Sequence, residues 1–174
     1  MSKPHSWSDP AKLDDLFLYH LARLLAAAGS MVVRLCEGSY GITRREWRMV
    51  GLLAEHGTLP PSQLADLAQL DRTRTSRTIT TLIGKGLVQR ETLPGDARRA
   101  LLQLTTAGKA LYAELFPRVQ AINMELLSDV PEQELQAMAS AFARIREKAQ
   151  QMQTDTDLPK AQRNRGAKKI RPQP

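Results

Sequence analysis

The sequence holds one cysteine, Cys36, and three scattered histidines, His5, His20 and His56. A lone thiol excludes an internal disulfide framework and a cysteine-based zinc cluster, and the histidines lack metal-ligand spacing. Aromatic residues are scarce, at 5% of 174 residues. No uninterrupted apolar run approaches the roughly 20 residues that cross a bilayer. The opening Met1-Ser2-Lys3-Pro4-His5-Ser6 leads into Asp14-Asp15 rather than an apolar segment, so a secretory signal is not expected. No Ser-His-Asp order, paired-carboxylate signal or phosphate loop is present. These absences argue against an enzyme and against a metal or cofactor. They point to a cytoplasmic protein without a membrane partner.

What is present is a basic chain of net charge +7 with 42% hydrophobic residues. The charge is uneven. Residues 71–99 hold seven basic and three acidic side chains, and residues 160–174 hold six basic and none acidic. Only the first of these stretches falls within a foldable region, so only it bears on a folded nucleic-acid site.

Leu13, Phe17, His20, Leu24, Ala28, Met31 and Leu35 recur at helical spacing, which predicts an amphipathic helix over 13–36, broken by Gly38 and Gly41. Thr43-Arg44-Arg45-Glu46 fits a capping box and starts a second helix ending near Gly57. Pro60-Pro61 opens a short third helix. Asp71 or Thr73 caps a fourth, running to about Lys85, with Ile79, Leu82 and Ile83 as its apolar stripe. Residues 87–92 and 100–104 read as strands around the turn Pro94-Gly95-Asp96. Thr105 caps a fifth helix of about twenty residues, with Pro117 predicting a kink. A sixth helix runs from Pro131 to about Met152. From 153 onward the composition predicts a disordered basic tail.

A short helix pair followed at once by a hairpin is the layout of a winged helix-turn-helix, whose second helix enters the DNA major groove. Arg72, Thr73, Arg74, Thr75, Ser76, Arg77 and Thr80 crowd that second helix. Threonine is a poor helix former, so packing alone is not expected to explain the five threonines between 73 and 81. Hydroxyls and guanidinia serve phosphates and base edges. At the hairpin tip, Arg98 and Arg99 can reach a narrow minor groove, and Asp96 can orient Arg98 through a charge-assisted hydrogen bond. The plainer alternative, a solvated polar face and a surface ion pair, is weakened by the three features standing together.

At these residues the sequence resembles the MarR family of multiple-antibiotic-resistance-type regulators. The resemblance rests on Leu64-Ala65, on Thr75-Ser76-Arg77-Thr78-Ile79-Thr80-Thr81-Leu82, and on Lys85-Gly86-Leu87-Val88-Gln89-Arg90. It continues through Asp96-Ala97-Arg98-Arg99-Ala100 and closes on Leu102-Gln103-Leu104-Thr105-Thr106-Ala107-Gly108. It covers roughly 13–150. The fold it implies is mainly α: a winged helix-turn-helix DNA lobe at 43–105 with a two-stranded β wing, plus dimerisation helices at 13–36 and 107–152. An arm at 1–12 and a tail at 153–174 lie outside.

The resemblance further implies a homodimer on a palindromic operator in double-stranded DNA, acting as a repressor. Trp47-Arg48 looks like the subgroup released by small aromatic carboxylates. Arg48 would hold the carboxylate bidentately and Trp47 would supply an apolar wall, with His20 and, more weakly, Arg23 and Arg44 as further candidates. The plain alternatives are core roles for Trp47 and His20 and an ion pair for Arg48. Two rival functions stay open at this point: thiol-based redox sensing through Cys36, and constitutive DNA binding without a ligand.

Overall fold

In a computed structural model the chain is described over residues 7–93 and 96–155, and within 92–99 only the backbone is described. The turn residues Pro94 and Gly95, and the tail from 156 on, lie outside the described residues. The chain divides into two compact units, one up to Ser128 and one from Asp129.

In the first unit a 3-10 turn at Leu13–Asp15 precedes α1, Phe17–Tyr40. The expected helix at 13–36 is thus shifted. Leu16 is extended, at φ −76 and ψ 123, and separates the two segments. Gly38 is absorbed in the helix. Gly41, at φ +61, ends it in a left-handed cap that glycine adopts without a Cβ penalty, its N–H donating to the Cys36 carbonyl. Arg44–His56 form α2, and the capping box is present: Thr43 N–H donates to Glu46 Oε2 at 2.6 Å, and Glu46 N–H to Thr43 Oγ1 at 3.2 Å. Pro61 sits at the first position of α3, Pro61–Ala68. Asp71, not Thr73, caps α4, Arg72–Gly84, accepting from Arg74 N–H at 2.8 Å.

The wing is β1, Val88–Leu93, antiparallel to β2, Asp96–Leu104. Val88 pairs with Leu104 and Thr92 with Ala100 before a bulge at Thr92/Leu93, so the second strand starts four residues earlier than the apolar run suggested. Leu59 adds a bridge, exchanging backbone hydrogen bonds with Leu102 at 2.8 and 3.0 Å. Thr105 caps α5, Thr106–Leu126, with Pro117 inside it.

Two clusters make the core of this unit. Met49, Val50, Leu53, Leu64, Ile79, Leu82, Val88 and Leu102 are among those that join α2, α3, α4 and the wing. Cys36, Ile42 and Leu115 join α1 and α5. Trp47 packs against both clusters and stacks on Tyr112 at 5.5 Å. One closure explains the run Leu104-Thr105-Thr106-Ala107-Gly108. Thr105 Oγ1 donates to the Gly86 carbonyl at 2.6 Å, and Gly108 lies so close to the Leu87 carbonyl that a Cβ there would collide with it.

The second unit contains α6, Glu132–Asp155, which therefore runs three residues past the expected end. It buries no residue and leaves Met138, Phe142, Ile145 and Met152 exposed at helical spacing. On α1, Leu18, Leu24, Leu25 and Met31 are likewise exposed. Among the described residues α1 is also the one helix long and apolar enough, by length and composition, to cross a membrane, although Arg23 and Arg34 divide its apolar run.

Candidate nucleic-acid interface

The spacing of α4 decides which side chains it offers. Thr75, Thr78, Ile79 and Leu82 face inward at three- and four-residue intervals, while Ile83 is 37% exposed. The expected stripe of Ile79, Leu82 and Ile83 is corrected by one helical step. Thr75 is corrected with it. At 2% exposure, with its hydroxyl donating to the Asp71 carbonyl at 3.0 Å, it packs the helix and reaches only the floor of the groove described below. Thr78, Thr80 and Thr81 also donate back to carbonyls four residues earlier, at 2.8, 3.0 and 3.0 Å. Such back-bonding lets threonine sit in a helix with its hydroxyl satisfied. The abundance of threonine therefore has a structural component that composition did not reveal.

What remains outward is Arg72, Thr73, Arg74, Ser76, Arg77 and Thr80. Arg74 is held by Asp71, Nε to Oδ2 3.3 Å, so its charge is partly met within the fold. Arg72 and Ser76 line a groove of about 310 Å3 together with Pro61 and Ser62 from the start of α3 and Arg90 from β1. Ser62 and Arg90 were not singled out from sequence as contact residues. Arg90 sits inside the strand pattern, and only the fold brings it beside Arg72. Asp96, Arg98 and Arg99 lie on β2, and their side chains fall outside the described residues. A helix whose exposed face carries guanidinia and hydroxyls, with Arg90 of β1 beside it, can meet phosphates and base edges together.

The position of α4 is fixed from its far end. Lys85 Nζ donates to the Gly41 carbonyl at 2.7 Å and to Glu46 Oε2 at 2.9 Å. Burial by itself would raise the Glu46 carboxyl, but the Thr43 N–H and the Lys85 ammonium outweigh it and hold it below the usual carboxylate range.

The effector candidates do not meet in one cavity. Arg48 Nη1 donates to the Ala68 carbonyl at 3.0 Å, and Arg48 lines a cavity with Arg44 and Arg45 that excludes Trp47, His20 and Arg23. Trp47, one residue and about 100° around the helix, faces Tyr112 instead. His20 and Arg23 lie near the start of α1, His20 6.0 Å from the Trp7 ring and Arg23 paired with Asp14 at 3.4 Å. Cys36 is fully buried. Burial, then Glu37, push its thiol above the ordinary value while Arg44 opposes them, which works against a reactive thiolate.

Residues 40–99 match the MarR family model. Over this segment the chain is similar to the MarR family. The HTH-type transcriptional regulator FarR of Neisseria gonorrhoeae is 42% identical over 74 residues, which are 42% of this chain and 51% of FarR. A MarR family transcriptional regulator from Silicibacter pomeroyi shares the fold with a TM-score of 0.69 at 26% identity, covering 82% of this chain and 95% of that one. Bordetella bronchiseptica BpsR, whose DNA binding is regulated by 6-hydroxynicotinic acid, shares it with a TM-score of 0.71 at 18% identity, covering 86% and 100%. The chain spans a little over half the length of the curated relatives it matches, 51% and 58%. The mainly helical fold with a two-stranded wing expected from sequence is the fold of the Silicibacter pomeroyi MarR family regulator, and the likeness is to regulators rather than to enzymes.

Proposed function

We propose that this chain is a DNA-binding transcriptional regulator that acts as a homodimer on a palindromic operator, represses, and is released by a small aromatic carboxylate. The observation that carries the reading is the face of α4: Arg72, Ser76, Arg77 and Thr80 lie outside the core, with Arg90 beside Arg72 in one groove. The wing arginines Arg98 and Arg99 would extend this surface toward the minor groove. Homodimerisation is supported by the apolar side chains that α1 and α6 each leave exposed, which a second copy would cover. On this reading 43–105 is the DNA lobe, and α1, α5 and α6 are the dimerisation helices.

The aromatic carboxylate is supported by two things. One is the guanidinium of Arg48, which keeps further N–H donors beyond the bond to Ala68. The other is the chemistry of 6-hydroxynicotinic acid, an aromatic acid that regulates a protein of the same fold. His20, Arg23 and Trp47 remain effector candidates that a second protomer would have to complete. Ligand release requires tighter binding to the state that does not hold DNA.

The test is fluorescence polarisation on duplex DNA from upstream of the protein's own gene, titrated with benzoate, salicylate and hydroxycinnamates and with their uncharged amides. Release by an acid and not by its amide supports the reading. Tight binding indifferent to every acid removes the effector, and no binding above that to a scrambled duplex removes the operator.

A further inference from the structure

The first five residues of α2 contain Arg44, Arg45 and Arg48. A helix N-terminus already carries about half a positive charge and favours acidic side chains, so three guanidinia there work against helix stability. The acidic residue of that turn, Glu46, is committed to the capping box and to Lys85. Among the described residues none of the three arginines forms an ion pair. Places where a chain breaks a local rule are places to look for function.

The three arginines line one open cavity of about 380 Å3, together with Glu37 near the end of α1, Thr43, and Leu70 in the turn between α3 and α4. The volume lies within the roughly 300–1,000 Å3 of small-molecule sites. The Arg44 guanidinium rests against Gly29 of α1, where a larger residue would meet it, and Arg48 is anchored on the Ala68 carbonyl. Leu70 is the one aliphatic side chain in the wall, and the neighbouring aromatic ring, Trp47, is turned to Tyr112. Such a wall suits many anionic oxygens in a small volume and offers little to a ring. A duplex backbone is the poorer fit, because the pocket carries Glu37.

We propose that this cavity is a site for a compact polyanion, a di- or tricarboxylate or a phosphate-bearing small molecule, which would compete with an aromatic carboxylate for Arg48. Ligand oxygens compete with the Ala68 carbonyl for Arg48. Ala68 ends α3 and is followed by Gln69 in the left-handed region, at φ 54, so Arg48 holds the turn that aims α4. The binding claim stands alone, whereas its effect on DNA affinity rests on the regulator reading.

The test separates the two. Calorimetry on the DNA-free protein at low salt uses citrate, inorganic phosphate and benzoate. Citrate or phosphate is expected to bind at least tenfold more tightly than benzoate. The double variant Arg45→Ala/Arg48→Ala is expected to lose tenfold or more, while Arg146→Ala keeps wild-type affinity. Arg45→Ala alone is expected to melt at or above the wild-type temperature while binding the anion more weakly, which a merely structural arginine would not do. Benzoate as the best ligand, no polyanion binding, or binding unchanged in the double variant overturns the site. So does a double variant whose one defect is uniformly weaker DNA binding with a smaller salt slope, which assigns the arginines to the duplex. Polyanion binding that leaves operator affinity unchanged overturns the regulatory step.

Discussion

Lys85, at the end of α4, donates to Glu46 Oε2 in the first turn of α2 at 2.9 Å, across 39 residues of sequence. The Glu46 side chain is 4% exposed and that of Lys85 34%, so the acid is the buried partner and the lysine reaches in from the edge. The same ammonium holds the carbonyl of Gly41, the residue that ends α1. Three helices are thus tied at one nitrogen.

Glu46→Gln tests the pair through pH. The Glu46 carboxyl is depressed in the folded protein, so its contribution is fully present above the unfolded value of about 4.3 and is lost as pH falls through the folded value. At pH 7 the variant is expected to be less stable by about 1–3 kcal/mol, and the gap to wild type should be smaller at pH 3. Urea unfolding at both pH values reads it. An equal loss at both would mean that the charge contributes nothing.

Two glycines should respond oppositely to alanine. At Gly108 the new Cβ meets the Leu87 carbonyl, a backbone atom that cannot swing aside, so Gly108→Ala is expected to cost about 1–3 kcal/mol. At Gly38, inside α1, nothing lies within 4 Å, and Gly38→Ala should stabilise by roughly 0.5–1 kcal/mol. Thermal midpoints of the pair decide it, and matching signs would refute the placement.

On α4 the predictions separate the outer face from the inner one. Arg77→Ala and Arg90→Ala are each expected to weaken duplex binding and to lower its salt dependence by about one unit of slope. Arg98→Ala should weaken binding and leave a dimer. Thr75→Val should change stability and not DNA affinity, because its hydroxyl is turned to Asp71. Polarisation at three salt concentrations, with sedimentation for the dimer, supplies the readouts. A normal salt slope in both Arg77→Ala and Arg90→Ala would place the duplex elsewhere.

Cys36 should be slow to alkylate in the native protein at pH 7.5 and fast in urea, since burial both covers the thiol and raises it. Peroxide should leave DNA binding unchanged. Fast native labelling with loss of DNA binding on oxidation would restore the thiol-sensor reading.

The element order and most element starts were legible in the sequence because they follow from rules spanning a few residues. Thr43 with Glu46, Asp71 before Arg72 and Thr105 before Thr106 each satisfy helix N–H groups locally, and Pro61 tolerates the first turn for the same reason. The winged-helix layout and the basic second helix followed from that order. What the sequence left open depended on partners far along the chain. Ile83 and Thr75 differ in burial because α4 packs against α2, α3 and β1, not because of their own hydropathy. Trp47 and Arg48 are adjacent in sequence, yet a helix turns each residue by about 100°, and packing sent the ring to Tyr112 and the guanidinium to Ala68. Arg90 joined Arg72, and Lys85 met Glu46, only when the chain folded back, because those contacts are set by tertiary packing that no local pattern encodes.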